Sequence, residues 1–295
     1  MRRTVRVILA ALSISTLVGI SATANAANEK SINVAGFDMH YVEQGQGPLL
    51  ILVHGSFSDN RTWKQQIEIL AKDFRVVAPT MRYFGKAPWS DTWPQFSDAL
   101  LADDLAAFIK GLNSGTTPHL VGWSRGARVA HLTVLRHPEV ARSAYLFEGS
   151  ARINLTEADS KAQKLAGGKL FGPAIKVLKE KGPEASIPKW IDAVVGPGAY
   201  VKRSDEQKLM FKDNARTIPI SLKAKRTILS CEQLQASKVP TTIVLGTKST
   251  LVGFLKPTAD CLPDKILTIT DATHGWPGAD PNAFASSVKD FAMKH

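Results

Sequence analysis

From Ser31 to the C-terminus, short apolar runs rich in β-branched residues alternate with stretches whose apolar positions recur every three or four residues. The short runs are "SINV", "FDMHYVEQ", "PLLILVHG", "FRVVAPT", "HLVGW", "SAYLFEG", "TTIVLG" and "KILTIT". Their length and composition predict strands. Helical patterns fall between most of them: "RTWKQQIEILAKD", "FSDALLADDLAAFIKGL", "RGARVAHLTVLRHP", "SCEQLQASK" and the terminal "PNAFASSVKDFAMKH". Alternation of this kind predicts an α/β fold, a mostly parallel eight-stranded sheet with helices on both faces. Only "AG" separates the first two runs, which predicts an antiparallel hairpin there. Between Arg152 and Arg226 the rhythm breaks into helical patches and Gly-Pro interruptions with no clear strand. That segment, 152–226, reads as a helical lid inserted into a core made of 27–151 and 227–295.

The first 26 residues follow another pattern. "MRRTVR" is basic, "VILAALSISTLVGI" is an apolar run of fourteen residues, and "SATANA" ends in small-x-small. This is the layout of a secretory signal peptide, and the apolar run is short of the ~20 residues that span a bilayer. No other stretch is long and apolar enough to cross a membrane. The expected location is therefore periplasmic or secreted.

Composition changes this picture in two places. The chain has 295 residues and is 44% hydrophobic, enough for a large core. Its two cysteines, Cys231 and Cys261, lie well inside the mature chain. In an oxidising compartment such an isolated pair predicts a disulfide, worth about 3 kcal/mol for a loop of this length. The net charge of +11 falls to +8 without the leader's three arginines, and the segment 152–226 carries that whole excess. Basic residues are not interleaved with aromatic ones, so a nucleic-acid partner is not expected. The basic excess can draw an anionic substrate or surface, or form a solvated helix face.

The candidate chemistry starts at "HLVGWSRGARVA". "GWSRG" fits G-x-S-x-G, and it lies where a strand feeds directly into a helix. A serine on so sharp a turn takes a strained backbone conformation; Gly122 and Gly126 leave the space, and Ala127 and Ala130 keep the helix slim. With "LLILVHGS", "TMRYFGKAPWSD" and "ITDATHGW", this turn makes the chain resemble the α/β-hydrolase fold family over nearly its whole mature length. The resemblance implies a serine nucleophile at Ser124, a base late in the chain and an acid between them. His274, just after "KILTIT", fits the base. His40, His54, His119, His131, His137 and His295 fit less well, and His54 is expected to brace the turn after its strand.

In most of the family the acid follows the strand here written "TTIVLG", where this chain has Ser249. A hydroxyl cannot stabilise the imidazolium, so a carboxylate must come from elsewhere. Some branches, including haloalkane dehalogenases and one group of lactonases, carry it after the preceding strand. Glu148 ends "SAYLFE" at that place and is the expected acid, with Asp260 and Asp271 as rivals. The oxyanion hole implied by the resemblance uses the amide of Arg125 and that of Ser56, with Phe57 as the neighbouring alternative.

A Ser-His-Glu set implies acyl transfer on a small-molecule ester or lactone, with no cofactor and no metal. The apolar residues Leu170, Phe171, Trp190, Ile191, Tyr200, Met210 and Phe211 would line an acyl pocket or pack the lid. Carbon–carbon bond hydrolases and cofactor-free haloperoxidases share the same residues, and some members of the fold bind ligands without catalysis.

Overall fold

The computed structural model describes residues 28–295, so the expected leader lies outside the described residues. In chain order the strands are β1 (Asn28–Val34), β2 (Phe37–Gln44), β3 (Leu49–Val53), β4 (Arg75–Pro79), β5 (His119–Trp123) and β6 (Ser143–Phe147). They continue as β7 (Arg152–Ile153), β8 (Ile228–Leu229), β9 (Thr241–Gly246) and β10 (Ile266–Ile269). The helices are α1 (Lys64–Leu70), α2 (Asp98–Gly111), α3 (Arg125–Arg136), α4 (Glu157–Lys181), α5 (Pro183–Val195), α6 (Asp205–Asn214) and α7 (Thr217–Lys223). After them come α8 (Cys231–Gln235), α9 (Val252–Cys261), α10 (Trp276–Ala279) and α11 (Pro281–Lys294).

Eight strands form one sheet in the order β1-β2-β4-β3-β5-β6-β9-β10. β1 and β2 make the expected hairpin, with Val34 opposite Phe37, and β2 meets β4 antiparallel. From β4 to β10 every pairing is parallel. The central strands are apolar at successive positions because both faces are covered. In "LLILV", Leu49, Ile51 and Val53 pack with Leu101 and Leu105 of α2 and Val129 and Leu132 of α3. Leu50 and Leu52 point the other way, onto Ile67 and Leu70 of α1 and Phe284 and Val288 of α11. Each such side chain contributes about 1.5–3 kcal/mol by leaving water.

Between β6 and β9 the chain leaves the sheet. β7 and β8 pair over two residues, Arg152 with Ile228 and Ile153 with Leu229, where the sequence shows no strand. Helices α4 to α7 lie between these two short strands. They hold an apolar cluster of their own: Ile187, Trp190, Ile191, Met210, Phe211 and Ile218. Trp190, Ile191, Met210 and Phe211, expected either to line a pocket or to pack the insertion, are thus buried in packing.

Two further differences concern helices. "VGFLKPTADC" forms α9, although its Pro257 and weak apolar period do not predict a helix. "SCEQLQASK" is helical only over Cys231–Gln235. Cys231 opens α8, Cys261 closes α9, and the two sulfurs are bonded, with Cα atoms 5.6 Å apart.

Two histidines are sealed inside. His54 donates from Nδ1 to the Gly55 carbonyl at 2.9 Å, and its Nε2 accepts the Met81 N–H at 3.1 Å. It fastens the turn after β3 to the loop after β4. His131 accepts the Ala151 N–H at 3.2 Å through Nδ1. Burial lowers the pKa of His54 to about 4 and that of His131 to about 3. In the unfolded chain both titrate near 6.5. Below pH 6.5 the unfolded state therefore binds more protons, and stability falls with pH until the folded-state values are reached. Denaturant unfolding should show a free energy lower at pH 5 than at pH 7.5, by about 4 kcal/mol for the two groups together. A flat profile over that range would refute the neutral, buried assignment.

Candidate active site

β5 runs into α3 through a single residue, Ser124, with φ +58° and ψ −116°. Such a conformation costs about 1–3 kcal/mol for a residue other than glycine, and surrounding contacts must impose it. One contact is the Ser124 N–H donating to the Phe147 carbonyl at 2.8 Å. The others are close approaches. A Cβ on Gly122 would sit 2.4 Å from Ala127 Cα, and one on Gly126 only 2.0 Å from the Val53 carbonyl oxygen. The expected sharp turn with a strained backbone is present, and its glycines are there for space.

β6 and β9 are parallel neighbours, with Phe147 opposite Val244. Glu148 follows β6 directly and also has a left-handed backbone, φ +49°. That turn aims its carboxylate along the sheet edge toward the loops after β9 and β10. Glu148 Oε2 lies 2.6 Å from His274 Nδ1, and both side chains are almost fully buried. The neighbouring strand's Gly246 N–H donates to Oε1 at 2.9 Å.

Ser249 completes this cradle, donating from Oγ to Glu148 Oε2 at 2.6 Å. Its Oγ in turn accepts the Leu251 N–H at 3.1 Å. Sequence reasoning marked Ser249 only as the place where an acid is missing; its hydroxyl instead donates to Glu148, the expected acid. Trp123 was also missed. Its Nε1 donates to the His274 carbonyl at 2.9 Å, which ties the histidine loop to the residue just before Ser124. No spacing rule points to either contact.

The rivals lie elsewhere. Asp260 pairs with Lys256 at 2.7 Å and Asp271 with Lys248 at 2.8 Å, all four exposed. His119 is bonded to Ser143, and His137 to Asp103. Among the described residues the hydrogen bonds of His274 run to Glu148 and Trp123 and not to the Ser124 hydroxyl; a nucleophile–base bond often closes only when substrate is present.

Ser56 and Phe57 occupy the turn after β3. Arg125 Nε donates to Ser56 Oγ at 3.0 Å, which links that turn to the first residue of α3. A Cβ on Gly55 would lie 3.4 Å from Ser124 Cβ, so this turn passes beside the serine. Phe57 has φ +62°, and its ring lies 5.9 Å from that of Trp190 in the insertion. The insertion therefore rests on the turn beside Ser124. Two surface clefts of about 580 and 560 Å³ lie elsewhere, and neither is lined by Ser124, Glu148 or His274.

Comparison with known proteins fits this geometry. The model of the alpha/beta hydrolase family matches residues 50–287. The 2-hydroxy-6-oxo-6-(2'-aminophenyl)hexa-2,4-dienoic acid hydrolase of Metapseudomonas resinovorans is 31% identical over 126 residues, 42% of each chain. The pimeloyl-[acyl-carrier protein] methyl ester esterase of Aeromonas hydrophila is 35% identical over 95 residues, 32% of this chain and 35% of the relative. The chain thus spans less than half the length of these curated relatives. A thermophilic esterase from Thermogutta terrifontis superposes with a TM-score of 0.69 over 91% of this chain and 98% of its own, at 21% identity. Sheet order, the strained serine turn and the family match together place this chain in the alpha/beta hydrolase family.

Proposed function

We propose that this protein is an exported serine hydrolase that opens a carboxylic ester or lactone through an acyl-enzyme. The observation that carries the reading is the buried 2.6 Å contact between Glu148 Oε2 and His274 Nδ1, at the same sheet edge as a serine in a strained turn. With its Nδ1 proton held by Glu148, His274 keeps the Nε2 lone pair free to act as a base. Ser124 Oγ attacks the carbonyl carbon and gives its proton to His274 Nε2. The oxygen of the tetrahedral intermediate takes up the negative charge and accepts hydrogen bonds from the Ser56 and Arg125 N–H groups. When the intermediate collapses, the C–O bond to the alcohol breaks and His274 protonates the departing oxygen. Water then repeats the sequence on the acyl-enzyme, releasing the acid and restoring Ser124.

Export is supported by the basic–apolar–small leader and by the bonded Cys231–Cys261 pair. The protein recovered from the cell exterior or periplasm should be two hydrogens lighter than its reduced form, and free thiols in that material would count against it. A second reading of the reaction rests on the identity to the Metapseudomonas enzyme: hydrolysis of a hydroxy-oxo-dienoic acid by the same residues. An ester panel of graded chain length run beside such a dienoic acid separates the two.

A fluorophosphonate probe should label the wild-type protein at Ser124, and Ser124→Ala should lose both label and turnover while staying folded. Label at another residue would remove Ser124 from the role. Because the position needs a left-handed backbone, Ser124→Gly should be more stable than Ser124→Ala by about 1 kcal/mol in denaturant unfolding.

Glu148→Gln keeps size and hydrogen bonding but removes the charge, and kcat should drop by orders of magnitude, about 10⁴ in the comparable serine-protease change. Asp260→Asn and Asp271→Asn should be mild. Since Ser249 already reaches Glu148 Oε2, a carboxylate at 249 would stand beside His274, so Glu148→Gln with Ser249→Asp should regain part of the loss. Near-normal kcat in Glu148→Gln alone would sink the assignment.

A further inference from the structure

One cluster in the fold has more positive charge than its surroundings balance. Asp98, the first residue of α2, accepts from Arg125 Nη1 at 2.5 Å and from Arg128 Nη1 at 3.2 Å. Burial alone would raise its pKa, but Arg125 and Arg128 more than offset that and hold it at about 2. Arg152 and Arg226 complete the group. Arg152 begins β7, and its register with Ile228 brings it beside the chain that leaves Arg226. Ser97, the residue before Asp98, forms a bridge with Lys225 and closes the ring of segments. Arg125 and Arg128 thus bond to Asp98, and Arg152 and Arg226 beside them have no carboxylate partner among the described residues, a surplus of three positive charges in the group.

The nitrogens of this cluster are short of acceptors. Arg125 has Asp98, the Ser56 hydroxyl and the face of the Phe96 ring at 5.2 Å. Among the described residues Arg128 has only its 3.2 Å contact, and its buried Nε is unpartnered. Arg152 forms no ion pair among the described residues, and its Nε is buried without an acceptor. Repulsion from Arg128, then burial, then Arg226 bring its pKa down to about 9, still charged at neutral pH. A buried guanidinium without acceptors carries a desolvation cost that an anion would relieve. Exposure rises from Arg125, almost covered, through the half-buried Arg128 and Arg152 to the exposed Arg226, so the cluster opens to solvent.

We infer that Arg128, Arg152 and Arg226 form a binding site for a phosphate group, separate from the Ser124–Glu148–His274 set. The fork of a guanidinium presents paired N–H donors to two oxygens of one phosphate, and a dianion offsets most of the surplus charge. A carboxylate would leave more of that surplus and fewer bonds made. Nucleic acid would call for a string of basic residues along a face with aromatic side chains among them, and this cluster is compact. Arg125 is the residue after Ser124, holds Ser56 and shares Asp98 with Arg128, so the phosphate site would be linked to the candidate oxyanion turn through Asp98 and Arg125.

Calorimetric titration with inorganic phosphate, against sodium chloride at equal ionic strength, tests the site. Wild-type protein should bind one phosphate per chain with heat that chloride does not reproduce. Arg152→Gln should weaken binding about tenfold or more, and Arg226→Gln, at an exposed position that the fold does not depend on, should also weaken it. In phosphate-free buffer Arg152→Gln should melt no lower than wild type, because the change removes repulsion and an orphaned donor. Glycerol 3-phosphate separates the sources: binding comparable to phosphate means that the group can arrive on a larger molecule, and binding of phosphate alone means the free ion. No heat beyond that of chloride in the wild type, or wild-type affinity in both variants, would overturn the site.

Discussion

The Glu148 carboxylate is the point on which the site's geometry hangs. It stands at the end of β6, receives a backbone N–H from the end of β9, a hydroxyl from the loop after β9, and the imidazole from the loop after β10. Three segments that share no sequence proximity are thus fixed by one pair of oxygens. A buried carboxylate is tolerable only when its lone pairs are used, and here both oxygens are. The left-handed backbone at Glu148 follows from the same demand: a residue continuing β6 in extended form would send its side chain to a sheet face, away from the edge where the histidine loop lies.

Parallel registration explains why the acid can stand on either of two strands. Phe147 of β6 and Val244 of β9 are paired, so the tips of the two strands lie side by side. Either tip can supply a carboxylate to one imidazole. Position 249 is not idle, because Ser249 keeps a hydroxyl at 2.6 Å from the oxygen that faces His274. It replaces a charge by a donor, which suits a place where a second carboxylate would repel the first.

Much of this was legible in the residues. All eight sheet strands were marked by short apolar β-branched runs; the central ones, covered on both faces, have little choice of composition. Gly122 and Gly126 were legible as space, and Glu148 as a charge at the end of an apolar run with no acid at 249. What escaped depends on contacts between distant residues or on short ladders. β7 and β8 are two residues each and leave no period to read. α9 contains Pro257 in its second turn, and tertiary packing and the bond from Cys261 to Cys231 hold it against that tendency. The hydroxyl of Ser249 and the indole of Trp123 act across 101 and 151 residues of chain, so nothing local records them.

The insertion adds a different constraint. Its aromatic and aliphatic residues close on one another, with Phe57 of the turn after β3 packed against them. Phe57 is held at φ +62° beside the candidate oxyanion donor, so the position of that donor depends on how the insertion sits. Arg125 reaches the same turn through Ser56. The turn is therefore held by two contacts, apolar packing through Phe57 and a guanidinium anchored on Asp98. A backbone N–H stabilises a developing oxyanion most when it needs no reorganisation as the charge appears. Holding the turn by both contacts provides that stiffness in a segment that has no strand or helix hydrogen bonds of its own.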